Sequence, residues 1–413
     1  MPDPTRITPS TSASAVVAGS TALAMMLAAL SMLGPFSVDT YLPAFPNIQA
    51  SLHATSIEVQ QTLTAYMFSF GIMILWHGAL SDAFGRRNVI LVSLAIFAIA
   101  SLGCAAAHSV EYLWAFRILQ GMSSGAGVVV GRAIIRDRYE GPAATKLLSL
   151  VTMIFSIAPA IAPILGGWIV KFRDWRAIFL FMFLYAVLLL WYCYKRLPET
   201  LTPAMRQPFT PTHLIASYKS VFRSALFHLR AGAIAFNFAG LFLYIAAAPT
   251  FVTEHLKLGQ DQFAWLFIPS VAGIFLGALT ANRMAGKFPI VRQVTIGFAF
   301  LLFAGLMNVS YHLLYPPALP WSVAPIFMYS FGMSLVAPGV TLTVLDLFPS
   351  IRGIIASCQS FTMTMLASLV AGVIAPLLAP SALWLACGML GCTAIALSLW
   401  LAGQSVHAAQ VGV

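Results

Sequence analysis

The sequence predicts an all-α membrane protein, with twelve transmembrane helices arranged as two pseudo-symmetric six-helix bundles. Three observations carry this: a composition too poor in charge for a water-facing surface, long charge-free runs, and one polar stretch near the middle of the chain. Of 413 residues, 60% are hydrophobic and only 8% charged, with a mean hydropathy of +0.89. Soluble domains carry about 25% charged residues, so most of this surface faces lipid. In lipid only helices and closed barrels satisfy their own backbone. A barrel needs short segments of alternating polarity, whereas these apolar runs are long and unbroken.

The charges mark the spans. Arg6 to Asp39, Glu58 to Asp82, Asn88 to Val110, Lys146 to Lys171, Arg176 to Lys195, Arg230 to Glu254 and Asp261 to Arg283 each enclose a charge-free stretch long enough for the roughly 20 residues of a crossing helix. Arg292 to Asp346 is divided by Tyr315-Pro316-Pro317, and the run after Arg352 by Pro376 and Pro380, so each reads as two spans. Tyr112 to Val130, which contains Arg117, completes the twelve. Residues 1–17 are polar and precede an apolar run with no clear cleavage site, which reads as a cytoplasmic tail before a retained first helix rather than a signal peptide. The five cysteines lack metal or redox spacing and read as small buried hydrophobes; no metal site is expected.

A formal charge of +10 raises the question of nucleic acid, but its distribution answers otherwise. Seventeen of the 22 Lys/Arg fall in the segments that alternate with the N-terminus. That bias predicts both termini in the cytoplasm and no nucleic-acid partner. Lys171, Arg173 and Arg176 run against it. The Pro-rich stretch 197–223 reads as a cytoplasmic linker between bundles at 18–196 and 224–403, with a cytoplasmic tail at 404–413. A faint repeat agrees: Gly78-Ala79-Leu80-Ser81 in one half, Gly277-Ala278-Leu279-Thr280 in the other. Transporters built from two such halves bind substrate near the midplane between them.

Two charges interrupt the spans, Asp39 and Arg117. Each costs roughly 2.5–3.5 kcal/mol at a helix centre, and intramembrane ionisable residues are functional by default. One reading is a proton-coupling site at Asp39 modulated by Arg117; the other is a static salt bridge locking the first helix to the fourth. A carboxylate in a low-dielectric cavity can hold a proton near neutral pH, and one charge moving through 100 mV releases about 2.3 kcal/mol. Phe36, Tyr66, Gln120, Asn237, Tyr244 and Gln359 are polar or aromatic positions within spans. They either line a substrate cavity or are satisfied by packing and interhelical hydrogen bonds. His77, His228 and His312 read as interfacial.

The run Gly78-Ala79-Leu80-Ser81-Asp82-Ala83-Phe84-Gly85-Arg86-Arg87 resembles the G-x-L-x-D-x-x-G-R-R signature of the major facilitator superfamily. Ala83 stands where that family often has arginine. The resemblance implies the major facilitator fold and a conformational latch at Gly78, Asp82, Gly85, Arg86 and Arg87. Leu113-Trp114-Ala115-Phe116-Arg117-Ile118-Leu119-Gln120-Gly121 resembles the fourth-helix motif whose arginine is implicated in proton transfer. Ala158-Pro159-Ala160-Ile161-Ala162-Pro163-Ile164-Leu165-Gly166-Gly167 resembles the antiporter motif, implying roles for Pro159, Pro163, Gly166 and Gly167. Asp39-Thr40-Tyr41-Leu42-Pro43-Ala44-Phe45-Pro46, Trp175-Arg176-Ala177-Ile178-Phe179 and Leu197-Pro198-Glu199-Thr200 are similar to the Bcr/CflA drug-resistance transporters. The expectation is a monomeric drug:proton antiporter of a bacterial inner membrane. It needs no cofactor beyond the proton gradient, and the chain has no Gly-x-x-x-x-Gly-Lys-Ser/Thr nucleotide loop. An uptake symporter of the same fold is the alternative; a membrane enzyme would need an intramembrane Ser/His pair, Asp pair or His cluster, and a receptor would bind without flux.

Overall fold

The computed structural model describes residues 11–348 and 351–411. It is all-helical, 84% in helix, with no strand among the described residues. Twelve helices are long and apolar enough to cross a bilayer: α1 Ala22–Leu52, α2 Ser56–Phe84, α3 Arg86–Ala105, α4 Val110–Arg138, α5 Lys146–Phe172, α6 Arg176–Arg196, α7 Ala225–Ala246, α8 Ala264–Met284, α9 Ile290–Leu314, α10 Ala324–Leu345, α11 Arg352–Leu378 and α12 Ala382–Val406. A shorter linker helix, Pro211–Phe222, joins the halves.

Local chemistry sets the breaks. The regular helix of α1 ends at Asp39, and a tight turn at Leu42–Ala44 redirects it into Phe45–Leu52. Thr55 and Glu58 close a reciprocal capping box at the start of α2. Gly85 ends α2 at φ 93°, a conformation that favours glycine. α5 breaks after Phe155 and resumes at Ala158, with Pro159 in the new first turn, where a missing N–H costs nothing.

The packing repeats between halves. α1 lies on α5, α2 on α4 and α3 on α6; α7 lies on α11, α8 on α10 and α9 on α12. The halves meet through α2 against α11 and α5 against α8, the exchange expected of a two-fold pseudo-axis. The repeated Gly-Ala-Leu-Ser/Thr run belongs to this symmetry: Gly78 faces Val129 of α4, and Gly277 faces the Phe331 carbonyl and Ser334 of α10.

Three boundaries differ from the sequence reading. The first helix begins at Thr11 and the last runs to Val411, so the stretches read as tails at 1–17 and 404–413 are partly helical; residues 1–10, 412 and 413 lie outside the described residues. α4 continues to Arg138 rather than ending near Val130, which brings Arg132 into a helix. Charge near a wet helix end costs little, so a charged residue need not end a span.

Gly277→Leu is expected to force α8 off α10 and destabilise the protein by about 1–3 kcal/mol, the usual range for overpacking. Thermal unfolding in detergent checks this, with Gly391→Leu, where an added Cβ meets nothing within 4 Å, as the neutral comparison.

Candidate functional site

The polar centre of the first half is Arg117. Its side chain is 0% exposed. One terminal nitrogen, Nη1, donates to the Ser37 carbonyl of α1 at 3.0 Å and to Gln120 Oε1 at 2.6 Å. The guanidinium carbon lies 4.7 Å from the Tyr41 ring centre and 4.3 Å from that of Tyr66, both within cation–π range. Each neighbour is fixed in turn. Tyr41 pairs with Thr62 at 2.7 Å, Tyr66 with Ser124 at 2.8 Å, and Gln120 donates to Ser101 at 2.9 Å. Helices α1 to α4 therefore converge on one guanidinium. Yet Nε and Nη2 of Arg117 are buried without a hydrogen-bond partner.

Asp39 is the last residue of the regular first helix and is 5% exposed, within electrostatic reach of Tyr66. Among the described residues, no ion pair includes Asp39 or Arg117. The static salt bridge considered from sequence is thus not formed in this conformation. The two charges are buried in the same half, with donor capacity left on the arginine.

The other candidates separate into groups. Tyr66 and Gln120 belong to the Arg117 cluster. Phe36 packs instead against Phe181 and Tyr185, at ring-centre distances of 6.0 and 5.6 Å. In the second half, Asn237 Nδ2 donates to the Met333 carbonyl at 3.4 Å, Tyr244 accepts from Asn308 at 2.7 Å, and Gln359 donates to Thr341 at 3.0 Å. Asn237 Oδ1 and Gln359 Oε1 remain buried without partners. Sequence reasoning missed Tyr41, Asn308 and Arg132. Arg132 is exposed and lies on the same stripe of α4 as Arg117, by way of Gly121, Gly125 and Val128. Its signal was an arginine at helical spacing from Arg117.

The loop between α2 and α3 is tied to the start of the linker. Arg86 reaches Asp82, Ser81 and Asp137, the last at 3.0 Å. Asp82 lies in the last turn of α2, so the N-terminus of α3 is left to another carboxylate. Glu199 takes that place: it accepts from the backbone N–H of Arg86 at 3.0 Å and of Arg87 at 3.3 Å. A negative charge there is stabilised by the unpaired amides and the helix dipole. Thr200 donates to Asp137 at 2.8 Å. These contacts join parts of the first half and the linker, not one half to the other.

At the opposite face the halves themselves are joined. Lys171 of α5 pairs with Asp261 at 2.6 Å, Gln260 donates to Asn47 at 2.9 Å, and Gln61 donates to the Gly372 carbonyl at 2.8 Å. Gln60 reaches the Ala246 carbonyl and Ser368 the Thr64 carbonyl, each at 3.2 Å. The glycines of the α5 run make this approach possible. A side chain at Gly166 would collide with Thr40 backbone, and one at Gly167 with the backbone of Gln260 and Asp261. Lys171, part of the cationic cluster that runs against the charge bias, is thereby used in an interhelical pair, while Arg176 pairs with Asp174.

Comparison with known proteins bears on the whole chain. The family model described as Major Facilitator Superfamily matches residues 21–372. The chain belongs to the major facilitator superfamily. Within it, the chain is 31% identical to "Uncharacterized MFS-type transporter YdgK" of Bacillus subtilis, over 86% of this chain and 88% of that one. It is 30% identical to "Bicyclomycin resistance protein homolog" of Haemophilus influenzae, over 68% and 71%, and 29% identical to "Multidrug resistance protein D" of Escherichia coli, over 84% and 88%. A solved POT family transporter shares the fold at TM-score 0.72 and 13% identity, covering 92% of this chain and 94% of that one. A bacterial homologue of the lysosomal transporter Spinster does so at 0.67 and 15%, covering 94% and 97%. The major facilitator fold, the twelve spans and the multi-pass membrane character expected from sequence are all borne out.

Lys171 beside Asp261 holds that carboxyl below its ordinary value of 3.8. Because the value in the joined state is depressed, the tie is present above the ordinary carboxylate range and is lost only as pH falls through the lowered value. Spin labels placed on the two halves at this face are expected to keep one distance between pH 5 and 8. Asp261→Asn should add a longer-distance population at every pH in that window.

Proposed function

We propose that this chain exports drug-like organic compounds by proton-coupled alternating access. The observation that carries the reading is the burial of Asp39 and Arg117 in one half, both within electrostatic reach of Tyr66, neither in an ion pair among the described residues, with two nitrogens of the arginine unpartnered. Relatives named for bicyclomycin and multidrug resistance support drugs as the cargo and export as the direction, as does the α5 run. The bilayer is the inner membrane of a bacterium, with the linker face and both termini cytoplasmic. The unit is a monomer that needs no cofactor and performs no covalent chemistry on its cargo.

The geometry supports a two-state cycle. With Asp39 neutral, Arg117 is held through Nη1 by Ser37 and Gln120 and by the two rings, its other nitrogens unpartnered. When Asp39 ionises, the unpaired edge of Arg117 gains a partner of opposite charge in a low-dielectric setting, where such attraction is strong. Any movement toward that edge displaces the end of α1, including Thr40, against which Gly166 of α5 is packed. The protonation state is thereby coupled to the face where the halves are joined. In this conformation that face is closed and the linker-side half of α5, Gly141–Phe155, packs chiefly on α1 and α4. The joined face corresponds to the outer gate of a carrier open toward the cytoplasm. Arg132 is exposed on the stripe of α4 that carries Arg117, nearer the linker-side end of that helix.

Reconstituted vesicles test this. Substrate-driven proton movement is expected in the wild type and should fall to background in Asp39→Asn, with substrate binding retained. Arg117→Gln should lose coupling as well, whereas Tyr185→Phe should keep it. Full coupling in Asp39→Asn would remove the carboxylate from the proton path, and accumulation of test drug in cells making the protein would reverse the direction.

A further inference from the structure

A cavity of about 650 Å³ opens between α2, α3 and the middle of α4, away from the Arg117 cluster. Its walls are apolar: Met73, Leu80, Phe84, Val92, Ile96 and Met122. Phe84 and Val92 are 54% and 58% exposed, so the groove opens sideways, where a crossing helix meets lipid. His77 lies in the wall but is 2% exposed, with Nδ1 directed at Gly125 of α4. The α2 wall runs from Met73 to Phe84, about 16 Å at 1.5 Å per residue. That is about half of a hydrocarbon core of roughly 30 Å, the depth of one leaflet.

The mouth of the groove, at the linker face, is polar. Asn88 and Arg206 line it. Arg206 has its Nε buried without a partner and is in no ion pair among the described residues, while its Nη2 lies beside Gly85 on the same side as the Glu199 carboxylate. The nearby acids are engaged elsewhere. Asp82 pairs with Arg86, and Glu199 accepts from the amides of Arg86 and Arg87. Arg87 turns away to donate to the Tyr194 carbonyl. An apolar slot one leaflet deep with a guanidinium outside any direct ion pair at its rim is complementary to an anionic amphiphile embedded in the bilayer.

We propose that this groove is a binding site for an anionic phospholipid of the linker-side leaflet, with one acyl chain between α2 and α3 and the phosphate at Arg206. A cationic cargo would be repelled at the rim, and a water-borne anion would leave the apolar walls uncovered. The site is independent of the proton path and of the direction of transport.

Native mass spectrometry of the full chain, released from nanodiscs of equimolar phosphatidylglycerol and phosphatidylcholine, tests it. The wild type is expected to retain one phosphatidylglycerol in preference to phosphatidylcholine. Arg206→Gln should reduce that preference about fivefold, the worth of one basic residue at an anionic surface, while Arg206→Lys keeps it. Val92→Trp, at an exposed position, should fill the slot and abolish retention of either lipid with Arg206 intact. An unchanged lipid profile in Arg206→Gln, or lipid still held in Val92→Trp, would overturn the site. So would release of wild-type lipid by an excess of a hydrophobic cationic drug, which would make the groove a cargo path instead.

Discussion

A guanidinium stays protonated in proteins, and hydrocarbon offers it no partner. The first half is arranged around that constraint. Arg117 draws a carbonyl from α1, two aromatic rings and an amide, and the hydroxyls of Thr62, Ser101 and Ser124 hold those groups in place. The second half has the same helix packing, and its buried Arg230 lies in the second turn of α7 and donates to the Thr343 carbonyl. Asn237, Asn308 and Gln359 occupy this half, each donating one hydrogen bond to a carbonyl or hydroxyl and leaving its amide oxygen buried without a partner. The pseudo-symmetric scaffold is therefore chemically lopsided: mid-span, one half is organised around an arginine and the other around neutral amides.

The two faces solve a different problem. On the linker face, Glu199 and Asp137 gather the α2–α3 loop and the end of α4 into one polar knot, so the first half moves as a body there. On the opposite face, the bonds run from half to half. Small residues set where this is possible, since Gly166 and Gly167 let two backbones approach α5 where any side chain would hold them off.

Much of this was legible in the sequence, and the reason is physical. A charge in lipid is expensive enough to stand out against an apolar run, which is why Asp39 and Arg117 were found without coordinates. The signature loop was found by its likeness to a family pattern, and its Gly85 takes the positive φ that glycine favours. What sequence did not reveal depends on partners far along the chain or on helix length. Glu199 lies 113 residues from Arg86, and nothing in Leu197-Pro198-Glu199-Thr200 says which helix it caps. Arg132 was assigned to a loop because a charge was taken as the end of a span. The absence of an Asp39–Arg117 ion pair is a matter of side-chain direction, to which residue spacing is blind.

The joined face has a further property. Apart from Lys171 and Asp261, its polar links are single hydrogen bonds, three of them from side chains to backbone carbonyls, and small residues such as Gly71 and Gly372 carry the packing between α2 and α11. Water can replace each bond as it breaks, at little net free energy. Such a seam opens through a succession of small hydrated steps and meets no single high barrier, whereas a seam of interlocked apolar side chains would have to part at once. The halves of a carrier built this way can therefore part bond by bond.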